Sequence, residues 1–242
     1  MIKVNHLSKT LDDQKVLTDI SFQVSEGEIL IILGPSGVGK TVLLKHLIGL
    51  LQPDQGSIVI NGKDITKFSQ QQQLAMRKDF GYLFQEGALY DFMNVFENVA
   101  FPLREHTNFN ASKIRQRVQE VLDMVDLHQV ESKMPLELSG GMKKRVGLAR
   151  AIVLSAKILL CDEPTSGLDP IRSHDISDLI RQVVKKIGAT TVITSHDVIN
   201  AFRIADRVAI LHEGRMEVMG TVQEVSSCQD AFVKEFLQLS KV

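Results

Sequence analysis

The segment Gly34-Pro35-Ser36-Gly37-Val38-Gly39-Lys40-Thr41 follows directly on the apolar run Ile29–Leu33, which places a glycine-rich turn between a buried strand and the start of a helix. The spacing G-x-x-x-x-G-K-T suits a phosphate-binding loop. Backbone N–H groups curl around a polyphosphate, Lys40 reaches the outer phosphates, and Thr41 offers a hydroxyl to Mg2+. The helix that starts there turns its positive end toward the same anion. An ordinary Gly-rich turn is the competing reading. It does not account for the strand before the loop, nor for the apolar positions Val42, Leu43, Leu44, Leu47 and Ile48 after it.

A chain of 242 residues has room for one α/β domain with a full core and a subdomain. Acidic and basic residues nearly cancel, 29 against 28, so no sequence-wide field recruits nucleic acid and none is expected as a partner. Two cysteines, Cys161 and Cys228, make no disulfide framework, and Cys161 sits inside an apolar run as a small hydrophobe. A reducing compartment is expected. Met1 leads into residues 2–6 without a basic and then long apolar leader, and no apolar run approaches the ~20 residues that span a bilayer. Action at a membrane would require a partner inside it.

Strands are expected at residues 2–7, 20–24, 28–33, 57–60 before the turn signal Asn61-Gly62, and 80–84 ending at Gln85. Between residues 94 and 151 helical periodicity dominates. It is clearest where Asn110 can cap a helix with Ile114, Val118, Val121, Leu122 and Val125 on one face. Alternation then resumes with a strand at 157–161, a helix from Pro170 ending near Gly188, a strand at 190–194 and a helix near 198–205. A hairpin at 208–219, turning at Glu213-Gly214, and an amphipathic helix at 230–239 close the pattern. The expected fold class is α/β with a doubly wound, mainly parallel core sheet.

The strand at 157–161 delivers two adjacent carboxylates, Asp162 and Glu163, at its C-terminal end, where ligands of open α/β sheets collect. Alternation turns Asp162 toward the Mg2+ held by Thr41 and leaves Glu163 to hold an attacking water. The strand at 190–194 carries Ser195 and His196 at its tip, which places His196 within reach of a γ-phosphate. The other six histidines, His6, His46, His106, His128, His174 and His212, read as ordinary surface or core residues. Leu138-Ser139-Gly140-Gly141-Met142 is a second loop-to-helix start: Ser139 can cap the helix at 143–154, and the two glycines expose backbone N–H groups. Alone it is a structural cap; beside a nucleotide loop it suits head-to-tail pairing of two copies. Lys143, Lys144 and Arg145 read as a solvated helix face.

Taken together and in this order, these residues resemble the ATPase subunits of ABC transporters over nearly the whole chain. The resemblance implies a P-loop NTPase fold spanning 1–242 as a single domain, with an antiparallel β subdomain and a helical subdomain near 86–155. It makes Gly34 to Thr41 the Walker A loop, with ATP held by Gly34, Pro35, Ser36, Gly37, Val38, Gly39, Lys40 and Thr41. Residues 158–162 become the Walker B strand and Glu163 the general base, with Lys40 and His196 completing the catalytic set. Gln85 becomes the Q-loop residue that joins Thr41 and Asp162 as a Mg2+ ligand. Leu138, Ser139, Gly140 and Gly141 form the signature motif, and Asp169 ends the D-loop; the signature serves the ATP of a second copy in a sandwich dimer. The residue at the usual adenine-stacking aromatic position is Leu11, which offers apolar area without a π-face.

Residues 84–103, with Leu138 to Arg145, are most similar to the ATPases of Mla-type, MCE-associated lipid transporters. That implies phospholipid transport through an integral-membrane permease, with an MCE-domain protein and a small STAS-type subunit as further partners. The expected location is cytoplasmic, peripheral on the inner membrane. Phe92, Met93, Phe96 and Phe101 are the candidate permease anchors. The ATPase of a polar-substrate, amino-acid-type importer shares the same catalytic parts and stays open, while a soluble ABC-type switch is disfavoured because such proteins commonly fuse two ATPase units or insert long coiled coils, which 242 residues do not hold.

Overall fold

Apolar side chains alternate along the first strands, and their pairing places them on one face. β1 (Ile2–Leu11) and β2 (Gln14–Val24) form a hairpin longer than the sequence pattern indicates. Ile2 pairs with Val24 and Val4 with Phe22. On its other edge β1 pairs with the strand that carries Ile58 and Ile60, and all six of these side chains are buried. The computed structural model describes residues 2–239; Met1 and residues 240–242 of the expected 1–242 domain lie outside the described residues. The described residues form two units, 2–77 with 190–239, and 78–189.

In the first unit β2 is followed by β3 (Ile29–Leu33), α1 (Lys40–Leu47), β4 (Gln55–Ile60), β5 (Lys63–Asp64) and α2 (Gln70–Arg77). The antiparallel sheet runs β2-β1-β4-β5. Asn61 and Gly62 turn β4 into β5 with φ of 49° and 80°, as the Asn-Gly signal predicts. α2 went unread in the sequence because its glutamines bury no residue and leave no apolar period.

The second unit starts with β6 (Phe80–Leu83) and continues with α3 (Val95–His106), α4 (Ala111–Met124), α5 (Gly140–Ile152), β7 (Ile158–Asp162) and α6 (Pro170–Ile187). β6 and β7 pair in parallel, Leu83 against Cys161. Asn110 caps α4 through Oδ1, which accepts the Lys113 N–H at 2.9 Å. Ile114, Val118, Val121 and Leu122 form its buried face. Gly188, in the left-handed region at φ 68°, ends α6.

The first unit resumes with β8 (Thr190–Ser195), α7 (Val198–Ile204), β9 (Arg207–His212), β10 (Arg215–Gly220), α8 (Val222–Ser226) and α9 (Ala231–Leu239). β3 lies between β8 and β9, parallel to both. All five of its side chains are buried, a contribution on the order of 10 kcal/mol. The loop after β3 therefore leaves from a rigid floor. No helix among the described residues is long and apolar enough to cross a membrane.

Asn98 on α3 is fully buried. Its Nδ2 donates to the carbonyls of Tyr90, Met93 and Asn94, and its Oδ1 accepts the Tyr90 N–H at 2.8 Å. Asn98→Ala removes the side-chain partner of the Tyr90 N–H and the Met93 carbonyl, while the Tyr90 and Asn94 carbonyls keep the Met93 and Asn98 N–H groups, and is expected to cost about 2 kcal/mol. The expected fall in thermal midpoint is about 4–8 °C, with faster amide exchange at residues 90–94.

Candidate functional site

Leu33 pairs with Ser195 on one side and Ile210 on the other, so three parallel strands end at one level and their C-terminal loops share an edge. Gly34 opens the first of these loops because nothing larger fits: a Cβ there would stand 2.3 Å from the Leu211 carbonyl oxygen. Gly39, at φ 104°, precedes α1, and a Cβ on it would meet the Val16 carbonyl at 3.0 Å. The β1–β2 hairpin thus presses against the loop. Leu11 ends β1 at the hairpin turn, half-buried.

Helices α3, α4, α5, α6 and α7 each begin under a side-chain cap, from Asn94, Asn110, Ser139, Asp169 and Asp197. α1 begins under none and has no acidic residue in its first turn. Its positive end is left for an anion. Lys40 is buried, and its Nζ donates to the carbonyls of Gly34 at 2.8 Å and Pro35 at 2.9 Å. The ammonium is held at the mouth of the loop by bonds that a phosphate oxygen can replace. Ser36 and Gly37 are exposed at the loop's apex, with Pro35, Val38 and Thr41 half-buried beside them. His196 is exposed just beyond β8, where the Asp197 N–H donates to Ser195 Oγ at 2.9 Å.

In the second unit every residue of β7 is buried. Asp162 ends it, and Tyr82 on β6 donates its hydroxyl to Asp162 Oδ2 at 3.4 Å. Burial first, and the Asp162 charge second, raise the tyrosine's pKa, so it stays a donor. Burial likewise pushes the Cys161 thiol up and leaves it an inert core residue. Glu163 does not extend the strand's alternation. Its φ of 44° puts it in the left-handed region, so a turn of the backbone, and not the period-two pleat, separates its carboxylate from that of Asp162. The turn closes where the Ser166 N–H donates to the Glu163 carbonyl at 3.1 Å. Asp169 Oδ1 then caps α6 by accepting the Arg172 N–H at 3.0 Å.

α5 starts at Gly140, earlier than the expected 143, and Ser139 Oγ accepts the Met142 N–H at 3.3 Å. Leu138 is buried. Apart from its chain neighbours and its own helix backbone, nothing lies within 4 Å of where a Gly141 Cβ would stand. The solvated-face reading of Lys143 to Arg145 is corrected. Lys144 is buried and donates to the Gln85 carbonyl, while Arg145 donates to the Val125 carbonyl at 2.8 Å and pairs with Asp126. Gln85 itself is exposed beyond β6. Of the four proposed anchors, Phe92 is exposed (76%), and Met93, Phe96 and Phe101 are half-buried. Phe101 packs edge-on against Tyr90 with centroids 5.2 Å apart.

A family model described as ABC transporter matches residues 17–166, from the hairpin through the phosphate loop and signature helix to the acidic pair. The chain belongs to the ABC transporter family. As a member it is an ATP-binding cassette that hydrolyses ATP. It is 44% identical over 236 residues to the "Probable ribonucleotide transport ATP-binding protein mkl" of Mycobacterium tuberculosis, covering 98% of this chain and 66% of that protein. It is 40% identical to the "Intermembrane phospholipid transport system ATP-binding protein MlaF" of Haemophilus influenzae, covering 98% of this chain and 90% of the relative. The Escherichia coli K12 MlaF is 39% identical, with 98% and 88% covered. Among solved structures, the ATP-binding cassette MJ0796 in a dimeric post-hydrolysis state bound to ADP and Pi superposes with a TM-score of 0.83 at 29% identity, covering 92% of this chain and 99% of that one. The cbiO1 subunit of Clostridium perfringens gives 0.86 at 31% identity, with 99% and 96% covered.

Three residues of this cassette escaped the sequence reading: Tyr82, Asn98 and Lys144. None lies in a motif, and only Asn98, a polar residue three positions from the apolar Val95 on one side and Phe101 on the other, carries a signal that could have found it. The glycines make a direct test. Gly34→Ala is expected to lower the thermal midpoint by at least about 5 °C, because the carbonyl it meets is backbone and cannot yield. Gly141→Ala, in open space within a helix, is expected to hold or raise it by up to about 3 °C. Thermal unfolding of the two variants beside the parent measures both.

Proposed function

We propose that this cassette is the ATP-hydrolysing motor of a transporter that moves phospholipid between membranes of a bacterial envelope through a separate permease. The observation that carries the ATPase chemistry is the capless start of α1 with Lys40 folded over its own loop. Two groups of relatives have names with different substrates. The phospholipid name is preferred because this chain spans 88–90% of those proteins, against 66% of the mycobacterial one. Residues 84–103 favour the same choice.

Thr41, Gln85 and Asp162 offer a hydroxyl, an amide oxygen and one carboxylate, a hard-oxygen set suited to Mg2+ that also binds substrate phosphates. When bound, the metal would neutralise charge on the β- and γ-phosphates. Lys40 and the loop amides of residues 34–41 hold the polyphosphate. Glu163 accepts a hydrogen bond from the attacking water and orients it, and His196 donates to the γ-phosphate. Ser139, Gly140 and Gly141 serve the ATP of a second copy. The open space at Gly141 supports this, since the chain's own packing does not require a glycine there. Asp169 closes the same interface. The helical subdomain near 86–155 carries the nucleotide signal to the permease, with Phe92 as the exposed anchor. The cassette then sits on the cytoplasmic face of the inner membrane, beside a permease, an MCE-domain protein and a small STAS-type subunit.

Glu163→Gln is expected to bind MgATP as the parent does while hydrolysing it at least ~100-fold more slowly and accumulating as a dimer. ATPase rates and size-exclusion chromatography report both, and parental turnover would remove the base assignment. Lys40→Ala is expected to weaken MgATP binding at least about tenfold by titration calorimetry. With Leu11 lacking a π-face, GTP should compete within about tenfold of ATP. A strong ATP preference that survives in Leu11→Ala would refute that. For the substrate, tagged Glu163→Gln chain is to be recovered with MgATP from solubilised native membranes. Co-purification of a permease, an MCE-domain protein and phospholipid supports the proposal; an amino-acid-type permease, or no membrane protein, overturns it.

A further inference from the structure

The β9–β10 turn lies against the phosphate loop and against the strand that covers it. Glu213 and Gly214 make the turn at φ 45° and 73°. Just before it, the Leu211 carbonyl oxygen stands 2.3 Å from where a Gly34 Cβ would be. A Cβ on Gly214 would stand 2.6 Å from the Val16 carbonyl oxygen and 3.1 Å from the carbonyl carbon. A hydrogen bond closes the contact, the Thr18 N–H donating to the Gly214 carbonyl at 2.7 Å. Turn and β2 are therefore joined backbone to backbone over residues 16–18, and only a glycine fits between them.

The same Val16 carbonyl oxygen stands 3.0 Å from where a Gly39 Cβ would be, and the Val16 side chain reaches that point through Cγ1 at 3.1 Å. Gly39 is the residue from which α1 departs, at φ 104°. One peptide group of β2 thus meets two left-handed glycines, one in the phosphate loop and one in the turn after β9. A backbone carbonyl cannot swing aside as a long side chain can, so filling the gap at Gly214 must displace β2. An ordinary carbon–oxygen contact of about 3.3 Å exceeds the 2.6 Å available by roughly 0.7 Å. Val16 would then lose its seat on Gly39. A cradle of backbone N–H groups tolerates little of this, since sites of this kind are held within about 0.5 Å of their working geometry.

We infer that Gly214 is a positioning residue for nucleotide binding: the β9–β10 turn holds Val16 against Gly39 and so fixes the phosphate loop from outside the 34–41 segment. Gly214 touches no phosphate and acts through Val16. Residues 211–214 thereby meet the loop at two of its glycines, at Gly34 directly and at Gly39 through Val16. The inference rests on the reading of 34–41 as the loop that holds MgATP.

The test compares Gly214→Ala with Gly56→Ala in the full chain. A Cβ on Gly56 would meet the Asn5 and His6 carbonyl oxygens at 2.4 and 2.5 Å, a closer clash in the same unit that presses on β1 and not on Val16. Titration calorimetry with MgATP, run well below each thermal midpoint, is expected to show binding at least about tenfold weaker in Gly214→Ala and within about twofold of the parent in Gly56→Ala, although the midpoint falls in both. Equal weakening in the two variants would mean a general loss of structure, and parental affinity in Gly214→Ala would mean that the loop does not depend on the turn; either result overturns the inference. If one of the glycine variants does not fold, Val16→Ala is measured instead beside Val4→Ala, the same truncation at a buried position of β1. Val16→Ala is expected to bind MgATP at least about threefold more weakly, with Val4→Ala at parental affinity. Parental affinity in Val16→Ala, or equal weakening in both valine variants, overturns the inference. Parental MgATP affinity in Lys40→Ala strikes at the loop assignment itself and is distinguishable from these outcomes.

Discussion

The start of α1 has no side-chain cap, and the other functional features of the first unit are arranged around that fact. A helix of eight residues whose first turn holds neither a capping oxygen nor an acid carries an unneutralised positive end. The chain keeps it that way by spending its small residues there. Gly34 cannot be enlarged because the Leu211 carbonyl stands where a Cβ would go, and Gly39 is pressed by Val16. The loop is consequently a fixed cradle, and its floor is the most completely buried strand of the unit.

The second unit handles charge in the opposite way. Its functional groups are tied down by bonds within the unit: Asp162 by the Tyr82 hydroxyl, Ser139 and Asp169 by the helices they cap, and the turn after β6 by Lys144 and Arg150. Desolvated cations are tolerated because they meet backbone carbonyls at close range. Asn98 performs the same service without charge, holding residues 90–94 so that Phe92 stands out into solvent. An exposed aromatic on a segment whose backbone is hydrogen-bonded on both sides of it, at Tyr90 and at Met93 and Asn94, fits recognition of a partner better than a gap in packing.

Most of the architecture was legible because its signals are local. Asn110 and Pro170 mark helix starts within one residue of those observed, Ser139 caps a helix that begins three residues before the expected 143, Gly188 marks an end, and Asn61-Gly62 marks a hairpin. The expectation failed where local signals are weak or misleading. The β1–β2 hairpin runs on past its apolar alternation because bulges between Val4 and Thr10 break the period. The glutamine-rich α2 has no apolar face to announce it. Three consecutive basic residues looked like one solvated surface, although consecutive helical positions point in directions about 100° apart and only one of them can face the turn.

What the sequence determined by itself was the chemistry available: a phosphate loop, two carboxylates at a strand end, a histidine at another, and a second glycine-rich helix start. Each depends on residues a few positions apart, and the backbone conformations they need are encoded in glycine, caps and apolar runs. Only the tertiary structure decided how those groups are held. Lys144 finds the Gln85 carbonyl 59 residues away, Tyr82 finds Asp162 at a separation of 80, and Glu163 leaves its strand through a left-handed turn. No pattern along the chain encodes these, because a buried cation or a strained backbone is stable only in the presence of the particular distant atoms that compensate it.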